Sequence, residues 1–158
     1  MTEARVAENG GDTPEESPSS VTLEDPAATQ EKPWRSEEYS LALASRVVSC
    51  FALPRPVEVF EFGEKGNINQ DTFLVEAGLG AERREYLLQR INEQVFTRPD
   101  TVMTAMVASL DAQRASLEAG RLPDGREWEV ITLVPTTSGA PYLAASDYRG
   151  SAHWRLME

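Results

Sequence analysis

Cysteine and histidine are almost absent from this 158-residue chain, which carries one of each, Cys50 and His153. A lone thiol excludes an internal disulfide framework and fits a reducing cytoplasm. Cys50 lies in the apolar stretch Val47-Val48-Ser49-Cys50-Phe51, so it reads as a small packing residue. No apolar run approaches the roughly 20 residues of a membrane span. The N-terminus leads into an acidic, Ser/Pro-rich segment with no apolar centre, which excludes a secretory signal there. Bases are scarce, with 15 Lys and Arg against 26 Asp and Glu and a net charge of -11. With that sign and no basic patch, a nucleic-acid partner is excluded.

The acidity is uneven. Residues 1–40 hold 10 acids against 3 bases, and residues 41–158 hold 16 against 12. Residues 1–33 also contain no aromatic residue. Such a segment cannot bury enough apolar area to offset about 1–2 kcal/mol of backbone entropy per ordered residue. It is expected to be a disordered acidic tail, with its acids too scattered among Ser and Pro to form a metal cage. Residues 34–158, in a chain that is 41% hydrophobic, suffice for one domain with a core.

Within that domain a helix is expected from Ser36, a suitable N-cap, with Glu37 and Glu38 in the first turn. Leu41, Ala44, Val48 and Phe51 recur at helical spacing, and Pro54 and Pro56 are expected to end the helix. Val57-Glu-Val-Phe-Glu-Phe62 then alternates apolar and acidic residues, the signature of a half-buried strand. Strands are expected again at Thr72–Val75 and Glu85–Ile91. A long helix follows, with Pro99 and Asp100 in its first turn and Gly120 as its C-terminal stop. Met103, Met106, Val107, Leu110 and Leu117 share one of its faces, so its methionines read as core. Two or three further strands are expected, at Glu129–Val134, Pro141–Ala145 and His153–Met157, with His153 a plain strand residue lacking acidic metal-binding neighbours. The fold class is therefore α+β, with an antiparallel sheet of about five to six strands and one long packed helix.

Two features could carry chemistry. The link Gly63-Glu-Lys-Gly66-Asn67-Ile-Asn69, between the first two strands, lets backbone N–H groups approach an anion. It is neither a P-loop nor a dinucleotide fingerprint, and a structural turn explains it as well. The second is Arg90, which alternation puts on one face with Leu88, with Gln89 and Ile91 on the other. A charge flanked by apolar residues needs a partner, and either a phosphate or a carboxylate would serve.

Glu64-Lys-Gly-Asn-Ile-Asn69 with Thr72-Phe-Leu-Val75, Tyr86-Leu-Leu-Gln-Arg-Ile-Asn-Glu-Gln-Val-Phe96, Pro99-Asp100, Met103 and the closing His153-Trp-Arg-Leu-Met-Glu158 together resemble the N-acetylhexosamine kinase branch of the aminoglycoside phosphotransferase-like family. The resemblance spans about Val57 to Glu158. It implies a protein-kinase-like N-terminal lobe, a twisted antiparallel sheet with one long helix packed on it. Gly66, Asn67, Asn69 and Thr72 match the phosphate-covering loop. Arg90 matches the basic residue of the third strand that contacts the α and β phosphates, where Arg replaces the Lys of protein kinases and keeps the charge. Met157 and Glu158 match the start of the adenine-contacting hinge. The helix carries no Glu before Glu118 to pair with the third-strand base, which leaves Asp111 as the nearest acid.

The implied activity is transfer of a phosphoryl group from ATP, with Mg²⁺, to a hydroxyl of a small molecule such as a sugar. No His-x-Asp catalytic loop or Asp-Phe-Gly-like metal motif is present, so the metal ligands and the base would belong to a missing catalytic lobe. The chain as given is expected to be inactive alone, and to be a fragment, a split subunit that pairs with a chain supplying the C-terminal lobe, or a remnant. Two other readings stand beside the kinase lobe. One is a non-catalytic interaction module, marked by exposed apolar surface around Leu156 and Met157; the other is a degenerate lobe with no ligand.

Overall fold

The computed structural model describes residues 21–22, 37–63, 71–120, 128–147 and 150–158. Helix α1 covers Glu37–Val48. It stops well before Pro54: backbone bonds close a turn over Ser49 and Cys50, and Phe51 already bridges to Thr136. Its buried stripe is Leu43, Ala44, Val47 and Val48, with Leu41 packed at the edge. Cys50 is partly buried against the same core, as its apolar setting suggested.

The strands are β1 (Val21–Thr22), β2 (Val57–Glu61), β3 (Thr72–Ala77), β4 (Arg84–Arg90), β5 (Leu143–Asp147) and β6 (Gly150–Met157), and helix α2 covers Pro99–Glu118. They form one sheet in the order β1-β5-β6-β4-β3-β2. Strands β2 to β6 pair antiparallel. The two-residue β1, within the segment expected to be a tail, adds to β5 in parallel. Both of its residues, Val and Thr, favour extended backbone.

Strand period sorts the side chains. In β2 the core side takes Val57, Val59 and then Glu61, while Glu58 and Phe60 turn outward. The strand's alternation therefore outlasts its apolar pattern: period two is geometric and does not follow side-chain type. Glu58 and Glu76 stand directly opposite each other, a repulsive pairing that Arg83 relieves by contacting both carboxylates. Gly78, just past β3, has φ +93°, and a Cβ there would lie 2.7 Å from the Glu82 carbonyl oxygen. Only glycine fits that approach to the 3₁₀ turn Gly80–Glu82 without strain.

The main core lies between α1 and one face of the sheet. Phe73, Leu88, Leu156, Val75, Tyr86 and Trp154 belong to it. Each such side chain contributes about 1.5–3 kcal/mol relative to exposure. Trp154 is 1% exposed and tilts against Phe73, with ring centroids 6.4 Å apart.

Helix α2 lies on the opposite face. Ile91, Met103 and Tyr142 form a smaller cluster there, joined by Phe96, Met106, Leu133 and Ala144. Pro99 occupies the first turn, and Gly120, at φ +62°, follows the C-cap Ala119. Only Met103 and Leu110 of the helix are buried, so α2 grips the sheet by a narrow stripe. The methionines do pack as core residues.

The expected strand Glu129–Val134 is not an element of the sheet. Its Thr132 exchanges two backbone bonds with Glu158, and Val134 donates to Leu156, so the segment runs beside the end of β6 with a single bridge at Leu133. The strand expected at Pro141–Ala145 begins two residues later, at Leu143. Pro141 precedes it, as suits a residue that cannot donate to a ladder.

Candidate functional site

Gly66, Asn67 and Asn69 lie outside the described residues. Of the other candidates, Thr72 and Met157 share the α2 face. The register shows how: Thr72 pairs with Gln89, and Gln89 with Arg155, to make one row across β3, β4 and β6. One step along, Phe60, Leu74, Leu87 and Met157 make a second row across four strands.

The two rows differ in chemistry. The second is wholly apolar and incompletely covered; Phe60 is 41% exposed, and Leu74 and Leu87 are half-buried. The first is polar. The Gln89 amide Nε2 donates to Thr72 Oγ1 at 3.3 Å. The Gln89 Oε1 accepts from Arg155 Nε at 3.2 Å and from Nη2 at 2.6 Å. Arg155 Nη1 donates to Met106 Sδ on α2 at 3.0 Å. Burial pulls the Arg155 pKa down from its ordinary value.

Arg90 is on the other face, the one it was expected to share with Leu88; it pairs across to Trp154, within the α1-side core. Its Nη1 lies 3.7 Å from Asp71 Oδ2, its Nη2 lies 3.6 Å from Asp147 Oδ2, and Nη2 also donates to the Ser151 carbonyl at 3.1 Å. The partner that its apolar flanks called for is thus a pair of carboxylates. The pairing with Asp111 is corrected: Asp111 sits on exposed α2 and binds Arg114 three residues on, at 3.2 Å. The reason is topological, because α2 packs on the face that Arg90 turns away from.

Glu158 is exposed and lies 3.7 Å from Arg84 Nε. Its backbone N–H and C=O are both taken by Thr132, at 2.9 Å each. Leu156 and Met157 are not exposed, at 0% and 9%. That corrects the expectation of an open apolar surface there: the 132–134 segment covers the flank of β6, and Met157 is backed by Leu133. Among the described residues, the large exposed apolar side chains are Phe60, Leu79, Val95, Trp128 and Ile131.

A further cluster escaped the sequence. His153, expected to have no acidic neighbours, has Glu93 Oε1 at 2.9 Å from Nδ1 and Asp100 Oδ1 at 3.2 Å from Nε2. A carboxylate only accepts, so which of the two contacts is a hydrogen bond from the ring depends on the tautomer. Ser151 donates to Glu93 at 2.8 Å, and the Tyr142 hydroxyl donates to Asp100 at 2.8 Å. Burial raises the Glu93 pKa, but the hydrogen bonds from His153 and Ser151, with the charges of His153 and Arg90, outweigh it and hold the carboxyl below its ordinary 4.5. Burial first, and then the Asp100 carboxylate, push the Tyr142 hydroxyl up to about 12. The network ties the first turn of α2 to β6. Among the described residues, no group of three or more His, Cys, Asp or Glu is arranged to hold a metal ion.

No helix among the described residues is long and apolar enough to cross a membrane. Compared with protein-family models and with curated proteins, the chain matches none.

Proposed function

We propose that residues 57–158 form the nucleotide-binding lobe of a kinase-fold phosphotransferase that moves a phosphoryl group from ATP to a hydroxyl of a small molecule, a sugar being the nearest analogy. The observation that carries this reading is the pair of adjacent rows on the α2 face. A flat purine needs a partly open apolar strip, which Phe60, Leu74 and Leu87 offer, with the buried Met157 closing the end of their row. Phosphates need donors and positive charge beside it, which the Thr72–Gln89–Arg155 row offers. The element order of three strands, a long helix and two more strands agrees with the lobe that the sequence resemblance implies.

On this reading Thr72, at the end of the glycine-containing link, belongs to the phosphate side, and Met157 to the purine side. Arg90 would reach phosphate only by giving up Asp71 or Asp147. The Glu158 backbone would offer purine contacts only on release from Thr132. The ligands for Mg²⁺ and the base for the acceptor hydroxyl would come from a second lobe. The docking-module alternative loses its marker, since Leu156 and Met157 are buried. Cytoplasmic residence follows from the substrate class and the single cysteine, as part of the same proposal.

Titration of the ¹⁵N-labelled chain with ATP tests the reading. Saturable shifts are expected at Leu74, Leu87, Gln89 and Met157, with a dissociation constant on the order of millimolar for an isolated lobe. No saturable shift up to about 10 mM, or shifts confined to the α1 side, would sink it.

A further inference from the structure

Arg155 is a partly buried cation with no anionic partner among the described residues. Among the described residues, three of the five N–H groups of its guanidinium are engaged, all by neutral acceptors, the Gln89 amide oxygen twice and the Met106 thioether once, which leaves two. A thioether is a weak acceptor and an amide oxygen carries no net charge. Arg83, Arg84, Arg90 and Arg114 each have a carboxylate in ion-pair range. Among the described residues, no carboxylate lies in that range of Arg155. Burying a cation without an anion is costly, and a fold that holds one in place keeps an unfilled demand for negative charge.

The surroundings hold the fork in position without neutralising it. Donation from Gln89 Nε2 to Thr72 Oγ1 orients the amide, so that its oxygen faces Nε and Nη2 of Arg155. Met106 braces Nη1 from the helix. Glutamate at position 89 would be nearly isosteric and would cancel the charge; glutamine keeps the geometry and leaves the charge available. A planar fork with two N–H groups to spare suits a tetrahedral oxyanion.

We infer that Arg155 is an oxyanion-binding residue of the α2 face, positioned by Thr72 and Gln89, and that its ligand is a phosphoryl group. That the phosphate belongs to a nucleotide rests on the proposed function; that Arg155 takes a phosphate does not. Arg90, already held by Asp71, Asp147 and the Ser151 carbonyl, is not the cation that performs this task.

Inorganic pyrophosphate is the probe. In the ¹⁵N-labelled chain, the Arg155 side-chain Nε–H resonance, identified by its loss in Arg155→Lys, is expected to shift saturably. Binding is expected to weaken about tenfold or more in Arg155→Met. Gln89→Glu, which keeps the arginine and the fold while supplying the missing anion, is expected to weaken it as much. A wild-type resonance unmoved at about 10 mM pyrophosphate, or full binding in Gln89→Glu, overturns the inference whether or not Arg155→Met folds. ATP separates the two proposals. If ATP binds equally to wild type, Arg155→Met and Gln89→Glu, the nucleotide reading stands and Arg155 loses its role. If pyrophosphate binds through Arg155 and ATP binds no tighter, the oxyanion site stands and the purine strip fails.

Discussion

Arg90 and Asp147 face each other at the end of β4 and β5, 3.6 Å apart, with the aspartate side chain only 1% exposed. Without Asp147 the largely buried Arg90 guanidinium would keep only the more exposed Asp71 carboxylate as counter-charge. Asp147→Ala is therefore expected to destabilise the fold by about 2–4 kcal/mol, seen as a lower urea midpoint. Asp71→Ala, which removes the more exposed of the two carboxylates, is expected to cost less. Equal losses would mean that the Asp147 pair is no more than a surface contact.

The His153 network is expected to be unequal in its parts. Glu93 is 28% exposed and Asp100 is 67% exposed, so solvent screens the second contact far more. A double-mutant cycle between His153→Leu and Glu93→Gln should give a coupling of about 0.5–1.5 kcal/mol. The cycle with Asp100→Asn should give a value near zero. Reversed order in thermal or urea unfolding would refute this ranking.

Stability should depend on pH through the same cluster, and the two arms have opposite signs. Glu93 titrates lower in the folded state than its ordinary 4.5, so its contribution is present above that value and is lost as pH falls through the folded pKa. Tyr142 titrates higher when folded, at about 12 against 10.0, so its contribution is present below pH 10.0 and is lost as pH rises toward 12. Glu93→Gln should flatten the acid limb of urea midpoint against pH, and Tyr142→Phe the alkaline limb. Limbs of unchanged slope in both variants would show that neither group is linked to folding.

Gly78 and Gly80 both have positive φ, but only Gly78 is crowded. Gly78→Ala should destabilise by about 2 kcal/mol or more, combining left-handed strain with a clash against the Glu82 carbonyl. Gly80→Ala carries the dihedral strain alone and should cost about 1 kcal/mol. Similar thermal midpoints for the two variants would contradict the close approach.

Trp154 is the largest fully buried side chain among the described residues and lies between Arg90 and Leu143 in the ladder. Trp154→Ala is expected to cost about 3–5 kcal/mol. A loss below about 1 kcal/mol would mean the core collapses around the gap.

Periodicity and turn chemistry, which are local, were legible in the sequence. Val57–Glu61, the start of β3, β4 and the span of α2 from Pro99 to the Gly120 stop could be read directly, because period two, period 3.6 and a left-handed glycine depend on neighbours in the chain. The split of Leu88 and Arg90 from Gln89 and Ile91 was legible for the same reason. What alternation cannot say is which face meets which partner. That β6 lies between β4 and β5, and that α2 covers the side of Gln89, are products of long-range pairing. They alone join Thr72, Gln89 and Arg155 into one row and give Arg90 two carboxylates in place of Asp111. They also place Glu93 and Asp100 on His153 from 60 and 53 residues away, and they turn the expected Glu129–Val134 strand into a covering segment over Met157. Local sequence determined most of the elements and the two-sided split along each strand; the tertiary structure decided the neighbours, because a charge or an apolar edge takes its partner from whichever strand or helix the sheet order brings beside it.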